Sequence, residues 1–203
     1  KTLKAADKII ADTRAHAKYF SEELGADPEK MQVMYLEADT SIYYPHQIEK
    51  PEPAKGKYTV LYFGSILPLQ GVDIVLEAAE RLKDRTDICF YIIGPIGEKM
   101  TKPSGPNIHY IQWLSQDKLS DYIAFSDLCL AGHFNREINK AKRTIPGKAY
   151  IYRAMEKPMI LGENPANHEL YSEKEPGISF VEMGSGKKLA EKILECRDRW
   201  SRR

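Results

Sequence analysis

The sequence predicts an α/β fold, a doubly wound parallel sheet with helices on both faces. Short β-rich apolar runs alternate with segments of helical periodicity, the pattern of a sheet whose strands are joined by crossover helices. Val60-Leu61-Tyr62-Phe63 and Cys89-Phe90-Tyr91-Ile92-Ile93 are apolar at every position rather than at alternate ones, as in strands covered from above and below. The 203 residues suit one large domain with a short appendage. With 42% hydrophobic and 29% charged residues, fibrous and wholly disordered classes are excluded.

Taken in order, Asp7–Ala11 is the first strand, and Ala17, Phe20 and Leu24 share one face of the helix that follows. Met31–Leu36 is the second strand. Tyr44–Lys57 carries Pro45, Pro51, Pro53 and Gly56 with scattered charge and reads as a linker. A boundary near Pro51 then divides an N-terminal strand and helix segment, residues 1–50, from a main domain, residues 51–203. Tyr58–Phe63 opens that domain, and Val72, Val75, Leu76, Ala79 and Leu82 form the apolar stripe of the next helix. Strands Ile88–Ile93 and Ile108–Ile111 follow. Leu119 with Ile123 marks another helix, then come Asp127–Leu130, Pro158–Leu161 and Ile178–Val181. The chain closes on a helix, Lys187–Trp200, with Leu189, Ile193 and Trp200 placed to pack on the sheet.

Thirty Lys and Arg against 29 Asp and Glu leave a net charge of +1, so global charge points neither to nucleic acid nor to an acidic membrane surface. Cys89, Cys129 and Cys196 are odd in number and widely spaced, which argues against a disulfide framework and for a reducing, cytoplasmic setting. No apolar run approaches the ~20 residues that span a bilayer, and Lys1-Thr2-Leu3-Lys4 lacks the apolar core of a signal peptide. The absence of an initial Met, ahead of structured-looking sequence, leads us to expect a piece of something longer.

In open α/β sheets ligands bind beyond the carboxyl ends of the strands, so the loops there are the informative ones. After Phe63 a turn runs from Gly64 and Ser65 to Gln70 and Gly71 and into a helix, an arrangement that offers backbone N–H groups and a positive helix end to an anion. The alternative is a tight strand–helix connection that needs Gly for its backbone angles. Gly94 and Pro95 form a second turn, either one a flat ring can approach or an ordinary surface bend. From Arg136 to Lys148, five basic residues (Arg136, Lys140, Lys142, Arg143 and Lys148) face one acid, Glu137. Pro146 suits a helix start, which puts Lys148 in a first turn, where a cation is unfavourable unless an anion sits there too. The competing readings are a solvated basic loop and a nucleic-acid contact. The second lacks the aromatic series that stacks bases.

Other constellations are absent. The sequence has no GxGxxG, no GxxxxGK[ST] and no GxSxG. The five histidines, His16, His46, His109, His133 and His168, lack zinc-ligand spacing. Of these, His133 and His168 lie where they could face a cleft, although hydrogen-bonded structural roles are commoner. No Asp-x-Asp occurs to hold a metal against a diphosphate.

Several segments, in order, resemble one family, the large retaining group 1 (family 4) glycosyltransferases of GT-B fold. They are Ala6-Asp7-Lys8-Ile9-Ile10-Ala11, Ala38-Asp39-Thr40-Ser41-Ile42-Tyr43-Tyr44-Pro45, Leu61-Tyr62-Phe63-Gly64-Ser65 with Gln70-Gly71-Val72-Asp73, and Ile92-Ile93-Gly94. Asp121-Tyr122 with Ser126-Asp127, and Ile145-Pro146-Gly147-Lys148 with Ala154-Met155-Glu156-Lys157-Pro158-Met159-Ile160, complete the series. The resemblance covers nearly the whole chain and implies the Rossmann-like, donor-binding C-terminal half of that fold. It implies transfer of a sugar from a nucleotide-diphosphate sugar, without metal or other cofactor, in glycan or cell-envelope polysaccharide assembly. A glycan or lipid-linked acceptor would enter through an absent N-terminal half, in a cytoplasmic protein peripheral to the inner membrane face. By the same resemblance Gly64, Ser65, Gln70, Gly71, Arg143 and Lys148 would meet the sugar or diphosphate, and Gly94 and Pro95 the base. No catalytic residue is assigned.

The pattern also departs from the family. Ser65 replaces a common Arg, and Gln70 a common Lys. The family's E-x7-E pair aligns with Arg143 and Ile151, and Ile151 cannot hold ribose hydroxyls. Arg143 could instead add positive charge for an acidic sugar. A non-catalytic nucleotide-sugar or protein-binding module with a degenerate site is therefore the second reading. A sugar-nucleotide epimerase is a third, for which no carboxylate pair is evident.

Overall fold

The computed structural model describes residues 2–65 and 67–201; Ile66, inside the first glycine turn, lies outside them. All eight predicted strands form. They are β1 (Ile9–Ala11), β2 (Met31–Val33), β3 (Tyr58–Phe63), β4 (Ile88–Ile93), β5 (Ile108–Ile111), β6 (Leu128–Gly132), β7 (Met159–Gly162) and β8 (Ile178–Val181). The helices are α1 (Thr2–Ala5), α2 (Arg14–Glu22), α3 (Val72–Arg81), α4 (Gln116–Phe125), α5 (Gly147–Ala154) and α6 (Gly186–Trp200).

Every strand pairing is parallel. β1 and β2 make a small sheet of their own, and the other six strands run in the order β5-β4-β3-β6-β7-β8. Counted from β3, that order is 3-2-1-4-5-6, the doubly wound arrangement whose switch point lies between its first and fourth strands, here β3 and β6. Alternation along β3 builds the two cores. Tyr58, Val60 and Tyr62 face the layer holding α3 and α6, with Val75, Leu76 and Ile193. Leu61 faces the layer holding α4 and α5, with Ile123, Ala149 and Tyr152. Burying each such side chain contributes about 1.5–3 kcal/mol, which is why both faces of the central strands are apolar.

Some boundaries and packing roles differ from the expectation. The first two strands are shorter than their apolar runs, and Leu24 stands exposed past the end of α2 rather than on its packed face. Trp200 is partly exposed and lies against Tyr58, with ring centroids 5.4 Å apart. Residues 44–57 are irregular apart from a 3-10 turn at Glu52–Ala54, yet they are tied down. Lys50 is ion-paired with Asp127 and donates to the Lys57 carbonyl at 2.9 Å, and Ala54 is fully buried. The N-terminal segment is fastened to the larger sheet by Glu169. Its carboxylate accepts the Arg14 and Ala15 backbone N–H groups at the start of α2, both at 2.8 Å, and the Tyr35 hydroxyl at 2.7 Å.

Candidate functional site

At the switch point the backbone leaves β3 at Gly64 and β6 at His133, and between them opens a cavity of about 430 Å³. β3 and its turn supply Phe63, Gly64, Ser65 and Gln70, and the turn after β4 supplies Gly94 and Pro95. The segment after β5 adds Gln112, Trp113 and Leu114. On the opposite wall stand His133 and the start of α5, Pro146, Gly147 and Lys148.

Two glycines shape the floor. Gly94 has φ +119°, and a Cβ there would run into the Gly64 carbonyl oxygen, so these two turns touch only because residue 94 carries no side chain. A Cβ on Gly64 would stand 2.9 Å from Lys148 Nζ and 2.8 Å from the Tyr62 hydroxyl. Gly64 thus keeps the space beside the ammonium open.

Pro146 caps α5, Gly147 is its first residue and Lys148 its second. The Lys148 side chain is 5% exposed. Its Nζ donates to Gln70 Oε1 at 2.6 Å and lies 4.3 Å from the centre of the Tyr62 ring. Among the described residues, no carboxylate lies within ion-pairing distance of it. Burial therefore lowers its pKa to about 7. Gln70 is held in turn: its Oε1 accepts the Tyr62 hydroxyl at 3.2 Å, and its Nε2 donates to Ser65 Oγ at 3.1 Å. His133 is driven to about 4, by burial first and the neighbouring Lys148 charge second, so it is neutral near pH 7. The wall thus offers a cation, backbone N–H groups at a helix start and neutral hydrogen-bonding groups, an arrangement complementary to an anion.

Of the residues singled out from sequence, Gly64, Ser65, Gln70, Gly94, Pro95 and Lys148 line this cavity. Two others do not. Gly71 starts α3 with φ +70° and packs its Cα face against Phe134 and Asn135. Arg143 lies outside the wall, with its guanidinium stacked 3.6 Å from the Tyr19 ring centre and its carbonyl accepting the Thr13 hydroxyl, so, against expectation, it does not line this cavity. The basic run as a whole does not converge. Lys140 and Lys142 sit exposed on a 3-10 turn, Arg136 pairs with Glu137, and only Lys148 reaches the cavity. Ile151 packs into an apolar cluster. His168 also leaves the cleft, pairing with Glu163 and packing 4.2 Å from the Phe180 ring centre.

Sequence reasoning missed the segment after β5. Trp113 is 77% exposed at the cavity rim, and the same strand-end rule that marked the other loops applies to it. Among the described residues, no group of three His, Cys, Asp or Glu could hold a metal ion, and no helix is long and apolar enough to cross a membrane.

Comparison with known proteins gives the architecture a family. A family model described as "Glycosyl transferases group 1" matches residues 57–198. A D-inositol 3-phosphate glycosyltransferase of Nocardioides sp. is 23% identical over 163 residues, 66% of this chain and 35% of that protein. The chain thus spans about a third of the length of that curated relative. Among solved structures, sucrose-phosphate synthase from Thermosynechococcus elongatus superposes with TM-score 0.75 at 14% identity, covering 97% of this chain and 50% of that one. Anabaena HepE in complex with UDP and glucose does so with TM-score 0.71 at 15% identity, covering 97% and 55%. The fold is that of GT-B glycosyltransferases, and the chain belongs to the group 1 glycosyltransferase family.

Proposed function

We propose that this chain is the donor-binding half of a retaining glycosyltransferase that takes its sugar from a nucleotide-diphosphate sugar. The observation that carries the reading is Lys148, a buried ammonium without a counter-ion among the described residues, at a helix start and facing the space that Gly64 keeps clear. Seated there, a diphosphate would supply the missing negative charge. As the bond to the sugar breaks, charge grows on the leaving diphosphate, and a preorganised cation with backbone donors stabilises it without a metal. Gly64, Ser65, Gln70 and Lys148 serve the diphosphate and sugar in this reading. Gly94 and Pro95 serve the base, with Trp113 on the same wall. HepE, of the same fold, was solved with UDP and glucose, which supports a uridine nucleotide as the first to test. The acceptor, a glycan or lipid-linked saccharide, would meet the donor through a preceding domain, in cytoplasmic assembly of a surface polysaccharide.

Isothermal titration with UDP, ADP and GDP tests the reading. The expected outcome is binding of at least one, lost in Lys148→Ala; no binding of any overturns it.

A second reading is a nucleotide-sugar or protein-binding module without transfer activity. It draws on Arg143 and Ile151, which stand where the family's carboxylate pair would be and neither of which lines the cavity. Nucleotide binding without sugar transfer in the full-length protein would favour it.

A further inference from the structure

Several lysines of this chain stand against acids, as Lys50 does with Asp127, Lys83 with Glu80 and Lys118 with Asp121, and Lys157 donates to the Ala124 carbonyl. Lys148 differs in kind. The oxygen it meets belongs to a neutral amide, Gln70, and the groups around it are the Tyr62 ring and hydroxyl, the Phe63 ring, the bare backbone of Gly64 and Gly132, and the neutral His133. An amine buried without a counter-ion releases its proton far more readily than one in water, and the neutral amine is a nucleophile. Most buried lysines are unreactive because nothing can reach them. This one borders an open cavity at the start of an eight-residue helix, α5.

We propose that Lys148 is a site of covalent acylation and that its reagent is an acyl phosphate, the phosphate group of which occupies the place of one donor phosphate. The inference rests on the reading of this cavity as a phosphate site. In the reaction the Nζ lone pair attacks the carbonyl carbon and an N–C bond forms. The C–O bond to phosphate breaks, phosphate leaves with that electron pair, and the proton lost from nitrogen passes to it. The product is a neutral amide beside Gln70. It cancels the cation and fills the space that Gly64 leaves open, so acylation switches the site off for a diphosphate.

The test is incubation of the chain with acetyl phosphate near neutral pH, followed by peptide mass spectrometry over time. Lys148 should be acetylated at least about tenfold faster than the exposed Lys18 and Lys187, since docking of the phosphate in the cavity holds the acyl carbon beside its amine. Inorganic pyrophosphate should slow Lys148 alone, and Lys148→Arg should remove the fast site. A Lys148 rate at or below that of Lys18 overturns the proposal. So does equal preference for Lys148 with the uncharged acyl donor N-acetoxysuccinimide, which would show that phosphate guides nothing. Fast labelling blocked by pyrophosphate but not by any nucleoside diphosphate upholds the acylation site while the nucleotide reading fails. Slow labelling of a chain that binds UDP does the reverse.

Discussion

Lys148 Nζ and Gln70 Oε1 lie 2.6 Å apart, an ammonium donating to an uncharged amide. The pair joins the start of α5 to the turn after β3, and its cation stands ready for a ligand because no acid among the described residues neutralises it first. The following expectations derive from this contact and from the turns around it.

Replacing Lys148 with Met should separate stability from binding. The folded-state pKa, about 7, lies below that of an unfolded lysine, so the unfolded chain holds more protons between about pH 7 and pH 10. The penalty is therefore full below pH 7 and fades as pH rises. Lys148→Met should raise the melting temperature by several degrees below pH 7, on the order of 1–3 kcal/mol, with a smaller gain near pH 10. UDP affinity should fall about 30-fold or more. Scanning calorimetry and titration at matched pH check both.

Ligand binding should take up a proton. A bound diphosphate favours charged Lys148 and raises its pKa, so between about pH 7 and that raised value each binding event captures up to one proton. Affinity should then fall by up to about tenfold per pH unit as pH increases above 7. Titrations in buffers of different ionisation enthalpy, above pH 7 where the diphosphate is fully ionised, measure the proton count directly.

Gly64 and Gly94 should respond differently to Ala. At Gly94 the positive φ and the Gly64 carbonyl oppose any side chain, and Gly94→Ala should cost about 2 kcal/mol or more of stability, seen as a lower denaturation midpoint. At Gly64 the nearest atoms to a Cβ are side-chain tips, those of Gln70, Tyr62 and Lys148, and the flexible Gln70 and Lys148 can swing aside. Gly64→Ala should fold nearly as well as the parent but bind UDP more weakly, because the new methyl group displaces the ammonium.

Glu169→Ala should loosen the N-terminal segment without unfolding the sheet. It removes the acceptor of the Arg14 and Ala15 N–H groups and of the Tyr35 hydroxyl, at a cost of about 1–2 kcal/mol. Hydrogen exchange should quicken in α2 while the β3 and β4 amides stay protected.

The fold was legible because the central strands of the large sheet are apolar over most of their length and the longer helices carry a stripe, so local pattern and buried surface agree. Val60 and Leu61, neighbours in sequence, enter different cores, as an all-apolar run requires. The glycine turns and Lys148 were legible for a related reason: strand ends and helix starts are where ligands meet backbone. Arg143 was not. Its direction depends on Tyr19, 124 positions earlier, and no local pattern encodes that contact. Trp113 escaped notice because a lone aromatic after a short strand resembles any surface residue until the sheet sets it beside Gly94 and Pro95.

The chain has two tryptophans, and the fold puts them at opposite ends of the sheet: Trp113 at the cavity rim, Trp200 beside Tyr58 and Lys50. Intrinsic emission therefore carries a built-in reference. A guest in the crevice would quench or blue-shift one fluorophore and leave the other unchanged, so occupancy can be followed optically without any label, and Trp113→Phe identifies the responding one.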